Sequence, residues 1–110
     1  MQVFLTAQAH RDIAAIKSYV AESNPNIAER IAQRLYEQAN GLSKNPRIGV
    51  ALSAKFGIQT DLRMRIVSPN LILYKIVEDR IIVVRIMDER RDYLAAVGLA
   101  ERKKYNDEDI

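Results

Sequence analysis

Residues 62–87 read LRMRIVSPNLILYKIVEDRIIVVRIM, and this stretch decides the fold. Leu62, Met64 and Ile66 alternate with Arg63 and Arg65, the period-two pattern of a strand with one buried face. Ser68-Pro69-Asn70 supplies a turn. Leu71 to Val77 is a nearly unbroken apolar run, and Glu78-Asp79 is short enough for a tight hairpin. Ile81 to Met87 is a second such run, interrupted only by Arg85. Strands apolar on both faces belong inside a sheet rather than at its edge.

Upstream of this sheet the periodicity is helical. Val3-Phe4-Leu5 reads as a first strand, and Thr6 can cap the helix that follows by accepting from an unpaired backbone N–H. Ala9, Ile13, Ile16 and Val20 fall on one face of a helix running to about Glu22, with Asp12, Lys17 and Glu22 expected to point elsewhere. Asn24-Pro25 opens a second helix, since Pro suits the first helical position, where an N–H would be unpaired anyway. Ile27, Ile31, Leu35 and Leu42 form its apolar stripe. The short link predicts an antiparallel helical hairpin, ending near Ser43, and Lys44 to Gly49 reads as loop. Downstream, Glu89 to Leu99 can form a closing helix with Asp88 as its N-cap. The order β-α-α-β-β-β-α leaves one face of a small, mainly antiparallel twisted sheet to receive the hairpin, so the chain is expected to be α+β.

The 110 residues suit one domain, expected over 1–99, with a polar C-terminal tail over 100–110. Hydrophobic residues at 48% and charged residues at 28% exclude wholesale disorder. No stretch approaches the roughly 20 apolar residues of a membrane span, which excludes an integral helical membrane protein. The first residues lack a basic-then-apolar signal pattern, so the cytoplasm is the expected compartment. Without cysteine there is no disulfide, no thiol nucleophile and no Cys-based metal site. The lone His10 makes a metal site improbable and is expected to be exposed. No glycine-rich phosphate loop is present, and no cofactor is expected.

The formal net charge is +3, and the excess sits in the middle: residues 44–93 carry ten basic and six acidic side chains. Arg63 and Arg65 share one strand face, while Lys75 and Arg85 are the only charges inside their apolar runs. Each can lie on apolar neighbours and reach solvent with its head. Together on the face away from the hairpin, as expected here, they would form a basic surface fit for a phosphate backbone or an acidic protein segment. The densest charged stretch runs from Arg85 through Asp88-Glu89-Arg90-Arg91-Asp92 to Tyr93. Arg90 and Arg91 could contact phosphates and Tyr93 could donate a proton. The same stretch also reads as an acidic helix start with Tyr93 packed back on the sheet.

In order and spacing these features resemble the RelE/ParE superfamily of bacterial toxins from type II toxin–antitoxin modules, the plasmid stabilisation family, over about residues 3–94. The pieces are Val3-Phe4-Leu5-Thr6 with Ala9, Asp12, Ile13, Ile16 and Tyr19-Val20, then Asn24-Pro25 and Ala28. A Leu-x3-Pro-x2-Gly exit follows at Leu42, Pro46 and Gly49, then Leu62-Arg63, Leu73-Tyr74, Ile82 to Ile86 and Arg91-Asp92-Tyr93. The resemblance implies a growth-arresting toxin neutralised by a cognate antitoxin protein. Two activities occur on this fold. ParE-like members trap DNA gyrase, and RelE-like members cut mRNA on the ribosome without metal. The closing Arg-Arg-Asp-Tyr run looks more like ParE, so gyrase is the expected target, bound through Arg90, Arg91, Asp92, Tyr93 and Lys75. Under the alternative, with ribosome and mRNA as partners, Lys55, Arg63, Arg65, Arg85 and Tyr93 would surround the scissile phosphate as catalytic residues of a metal-independent endoribonuclease. A relative that only binds antitoxin is a third possibility. Departures from the nuclease pattern are Asp88 where some members carry histidine, Asn70-Leu71-Ile72 without an arginine, and a Tyr93 placed early in the closing helix. An unassisted tyrosine near pKa 10 is also a poor base at neutral pH.

Overall fold

A computed structural model describes residues 1–99; the tail expected over 100–110 lies outside the described residues. The elements are β1 (Gln2–Leu5), α1 (Ala7–Ala21), α2 (Pro25–Asn40), β2 (Val50–Ala51), α3 (Leu52–Phe56), β3 (Arg63–Val67), β4 (Asn70–Val77), β5 (Arg80–Asp88) and α4 (Tyr93–Ala96). The expected order holds, with two short elements, β2 and α3, added inside the stretch between hairpin and sheet.

Local chemistry sets the helix starts. The Thr6 hydroxyl accepts from the Ala9 N–H at 3.0 Å and donates to the Val84 carbonyl at 2.9 Å, so one side chain caps α1 and ties it to β5. Asn24 accepts from the Ile27 N–H at 3.1 Å, with Pro25 as the first helical residue. Thr6→Ala should lower stability by about 1–2 kcal/mol, the upper part of the range for lost N-caps because the bond to β5 goes too; a urea-denaturation midpoint reads this directly.

The strands form one sheet in the order β1-β5-β4-β3-β2. β1 runs parallel to β5, and all other pairs are antiparallel. The apolar β4 and β5 therefore occupy interior positions, as their composition requires. The hairpin packs on one face, where Ala9, Ile13, Leu35 and Ala39 meet Val67, Ile72, Tyr74, Ile81, Val83 and Ile86. Ile27 stands outside this stripe at 44% exposure, because it lies in the first turn of α2 beyond the reach of the sheet.

The opposite face is not the bare basic surface expected from sequence. Leu62, Met64, Leu71, Leu73 and Met87 form a second core there with Leu52 of α3. Phe56, Tyr93, Leu94 and Val97 pack against it. Two-sided burial is the physical reason β4 is apolar at nearly every position. The closing helix is also shorter than expected. β5 continues through Asp88, and Asp92, not Asp88, caps α4 by accepting from the Ala95 N–H at 3.1 Å.

Candidate functional site

Register fixes where the charged candidates go. Arg63 lies across from Tyr74 and Arg65 across from Ile72, both partners being in the hairpin-side core. The two arginines therefore face the hairpin side. Arg63 Nη2 donates to the Arg47 carbonyl at 3.1 Å, and Arg65 Nη2 donates to Gln38 Oε1 of α2 at 3.2 Å. Among the described residues the buried Arg63 Nε has no hydrogen-bond partner. The expectation that these residues face away from the helices is thus corrected: it is Leu62 and Met64 that turn to the second core. Alternation tells which residues share a face but not which face the helices cover.

Arg85 is corrected in the same way. A bulge shifts the β4–β5 register between Tyr74↔Val83 and Leu73↔Arg85, leaving Val84 as the extra residue. Arg85 and Ile86 both reach the hairpin side in consequence. Arg85 Nε and Nη2 donate to Asp12 at 2.8 and 3.1 Å, and the Ile86 N–H donates to the same carboxylate at 3.0 Å. Asp12, expected to point away from the core, is 8% exposed. Burial by itself would push its carboxyl up; the bonds from Arg85, Ile86 and Gln8 outweigh this and hold it below the usual carboxylate value. The same pairing raises Arg85, which stays fully charged.

Of the four cations, Lys75 alone follows the alternation of Leu71 and Leu73 onto the far face. Lys55 in α3 holds its ammonium 5.7 Å from the Phe56 ring centroid, and the Tyr93 ring lies 6.4 Å from the same ring. The sheet therefore divides the five nuclease candidates. Arg63 and Arg65 stand together on one side, Lys55 and Tyr93 flank Phe56 on the other, and Arg85 is consumed by Asp12. Of the expected target-binding residues, Asp92 is a helix cap, Tyr93 is half-buried in the second core and Lys75 is remote from the closing loop.

Arg90 and Arg91 do come together. Arg90 wraps back onto Asp88, with its N–H, Nε and Nη2 donating at 2.8, 3.0 and 2.8 Å. The hydrogen bonds from the Arg90 side chain and backbone hold the Asp88 carboxyl at about 2, so the pair is neutralised at all physiological pH. Arg91 is exposed, and among the described residues its guanidinium has no carboxylate partner. Both arginines stand on the lip of a cleft of about 570 Å³. Its walls are Ile16, Tyr19 and Val20 of α1, Ile31 of α2, and Ile86 and Met87 at the end of β5. Tyr19 is 76% exposed. Tyr19 and Ile31 were not singled out as site residues from sequence, although Tyr19 follows Ile16 by three positions and so widens the apolar stripe of α1 beyond what the hairpin buries.

His10 is exposed, its Nδ1 2.9 Å from the Tyr36 hydroxyl. Among the described residues no group of three or more His, Asp or Glu side chains could hold a metal ion. No helix among them is long and apolar enough to cross a membrane.

A helical hairpin on one face of a five-stranded mixed sheet, with a short helix and closing segment on the other, is the architecture of ParE-type toxins. A chain of the chromosomal ParDE toxin–antitoxin system from P. aeruginosa superposes with a TM-score of 0.67 at 22% identity, over 80% of this chain and 95% of that one. The family model for the ParE toxin of the type II toxin–antitoxin system parDE matches residues 3–93. A relative in Caulobacter vibrioides, Toxin RelE2, is 31% identical over 90 residues, covering 82% of this chain and 97% of its own length. The chain belongs to the ParE toxin family of type II toxin–antitoxin systems.

Proposed function

We propose that this chain arrests bacterial growth by inhibiting DNA gyrase and is silenced by a cognate antitoxin. The observation that carries the choice of gyrase is the dispersal of the nuclease candidates. General acid–base chemistry on a phosphate needs its groups within hydrogen-bond reach of one reacting centre. Here Arg85 is committed to Asp12, and Tyr93 and Lys55 lie across the sheet from Arg63 and Arg65. Arg91, by contrast, is presented outward on a loop anchored at both ends, by Asp88 before it and by the Asp92 cap after it. Such a loop suits contact with a protein surface. The second reading, ribosome-dependent mRNA cleavage, draws on the name of the relative Toxin RelE2 and on the paired Arg63 and Arg65.

The test is induced expression in a bacterial host, followed by gyrase supercoiling and by primer extension of mRNA 5′ ends in a translating extract with and without ribosomes. Gyrase inhibition with intact mRNA is expected, and growth arrest should survive the double change Arg63→Ala, Arg65→Ala. New 5′ ends that need ribosomes and vanish in that double variant would replace gyrase by mRNA as the target. Growth without arrest would leave only a relative that binds antitoxin.

A further inference from the structure

A row of arginines follows the seam where α2 runs alongside β3, away from the cleft at the end of β5. Arg34 Nη1 lies 3.5 Å from the Ser68 carbonyl, Arg65 Nη2 donates to Gln38 Oε1 at 3.2 Å, and Arg63 Nη2 donates to the Arg47 carbonyl at 3.1 Å. The row thus follows residues 63 to 68, roughly 17 Å of chain at about 3.4 Å per residue. Arg47 stands exposed at its end. Every acceptor these guanidinium groups have found is neutral. Among the described residues none of the four is in an ion pair, because the carboxylates of the pairs that form are taken by Lys17, Arg85 and Arg90. A phosphate that replaced a carbonyl here would make a stronger, charge-assisted bond. Arg63 has more to gain than the others, since turning outward would also free its unpartnered Nε from burial. One acid stands close: Glu37 lines the same small depression as Arg65, and its Oε1 accepts from Gln33 at 3.2 Å.

We propose that this row is a binding site for the phosphate backbone of duplex DNA, held without regard to sequence. Arg63 and Arg65 are two strand residues apart, about 7 Å, the scale of the step between neighbouring phosphates on one strand. The planar arginine fork matches a phosphate with two parallel bonds. Proteins that hold single strands add aromatic side chains on which bases stack. This row offers no such platform. Tyr74, across from Arg63, is completely buried, and Tyr36 of α2 turns to His10. Guanidinium contacts to phosphate fix a protein on a duplex and carry no sequence information. The site is independent of the gyrase reading: it holds the chain on DNA whatever the cellular target is.

Fluorescence anisotropy of a labelled duplex of about 20 base pairs, titrated with the full chain, tests it. Binding should have a Kd below about 0.1 mM at low salt, and log K should fall against log salt with a slope of about −3, one phosphate for each aligned arginine. Two duplexes of unrelated sequence should bind equally. Arg34→Gln, Arg63→Gln and Arg65→Gln should each weaken binding about three- to tenfold and make the slope shallower by about one. Glu37→Gln should tighten it about twofold by removing the acid beside Arg65. Arg80→Gln, exposed on the β1 side of the sheet, should change neither quantity. Arg34 is exposed on α2, so its variant should unfold at the wild-type temperature and separate lost binding from lost fold. No binding up to about 1 mM, a slope shallower than about −1, or an equal loss in Arg80→Gln overturns the proposal. Tighter binding of a single-stranded RNA of the same length does so too. Duplex binding with gyrase supercoiling unaffected would remove the gyrase reading and leave this site standing, and gyrase inhibition without duplex binding would do the reverse.

Discussion

Asp12→Ala should destabilise the fold by about 3–5 kcal/mol, the range for stripping one partner from a buried ion pair. The carboxylate accepts four hydrogen bonds, from Arg85 Nε and Nη2, from the Ile86 N–H and from Gln8 Nε2 at 2.9 Å. Removing it leaves a largely withdrawn guanidinium and a buried amide of β5 without partners, and unmade bonds of that kind carry the full cost of desolvation. The residue also joins α1 to the strand end that carries the closing loop. A small domain has only about 5–15 kcal/mol in total, so the urea midpoint should fall by roughly 2 M. Arg85→Ala should act in the same direction and more weakly, because its side chain is 22% exposed and the carboxylate left behind can recruit water. The double variant should cost less than the two single changes together, since each removes the same interaction. A loss under about 0.5 kcal/mol in Asp12→Ala would show that the pair is not a brace.

The pH dependence follows in sign from the direction of the shift. The folded-state pKa of Asp12 lies below its ordinary 3.8, so the unfolded chain binds more protons there as the solution is acidified. Its contribution is complete above about pH 4 and is lost as pH falls through the folded value. The stability gap between wild type and Asp12→Ala should therefore be constant from neutral pH down to about 4 and then narrow.

How much of this was legible in the sequence depends on the range of the interaction. Thr6, Asn24 and Pro25 act within three residues, so both helix starts could be read. The alternation of Leu62 to Ile66 and the two-sided runs of β4 and β5 placed the strands and made β4 and β5 interior. The side of the sheet facing the hairpin was not legible, because both faces are buried and periodicity has no sign. Arg85 was misplaced by the bulge at Val84, one extra residue that no repeat reveals. Its partner Asp12 is 73 residues away, and on the helix it looks like any polar position. β2 and α3 were missed because two and five residues have no intrinsic stability as strand or helix; pairing with β3 and the complete burial of Leu52 hold them. At the candidate site, Arg90 and Arg91 stood out as charge density. Tyr19 and Ile31 did not, since only the packing of α1 and α2 on β5 brings them to one cleft.

Gly49→Ala should cost about 3 kcal/mol, at the upper end for overpacking a filled site. A Cβ there would sit 2.7 Å from both Cε1 and Oη of Tyr74 and 2.9 Å from the Met64 carbonyl. Neither neighbour can yield easily. Tyr74 is completely buried in the hairpin-side core, and the Met64 carbonyl belongs to β3. The approach is close because Tyr74 closes the loop after α2: its hydroxyl donates to the Pro46 carbonyl at 2.7 Å and accepts from the Gly49 N–H at 2.9 Å. This accounts physically for the Leu-x3-Pro-x2-Gly spacing at 42–49. Leu42 anchors the helix exit in the core, Pro46 offers a carbonyl, and the residue three further on must present an N–H with no side chain in the way. Tyr74→Phe should cost about 1–3 kcal/mol by orphaning that carbonyl and amide while keeping the ring. In the Tyr74→Phe background one of the clashing atoms is gone, so Gly49→Ala should cost less there than in wild type. Equal costs in both backgrounds would place the strain at the Met64 carbonyl instead, and a neutral Gly49→Ala would mean that the loop sits farther from Tyr74 than these distances require.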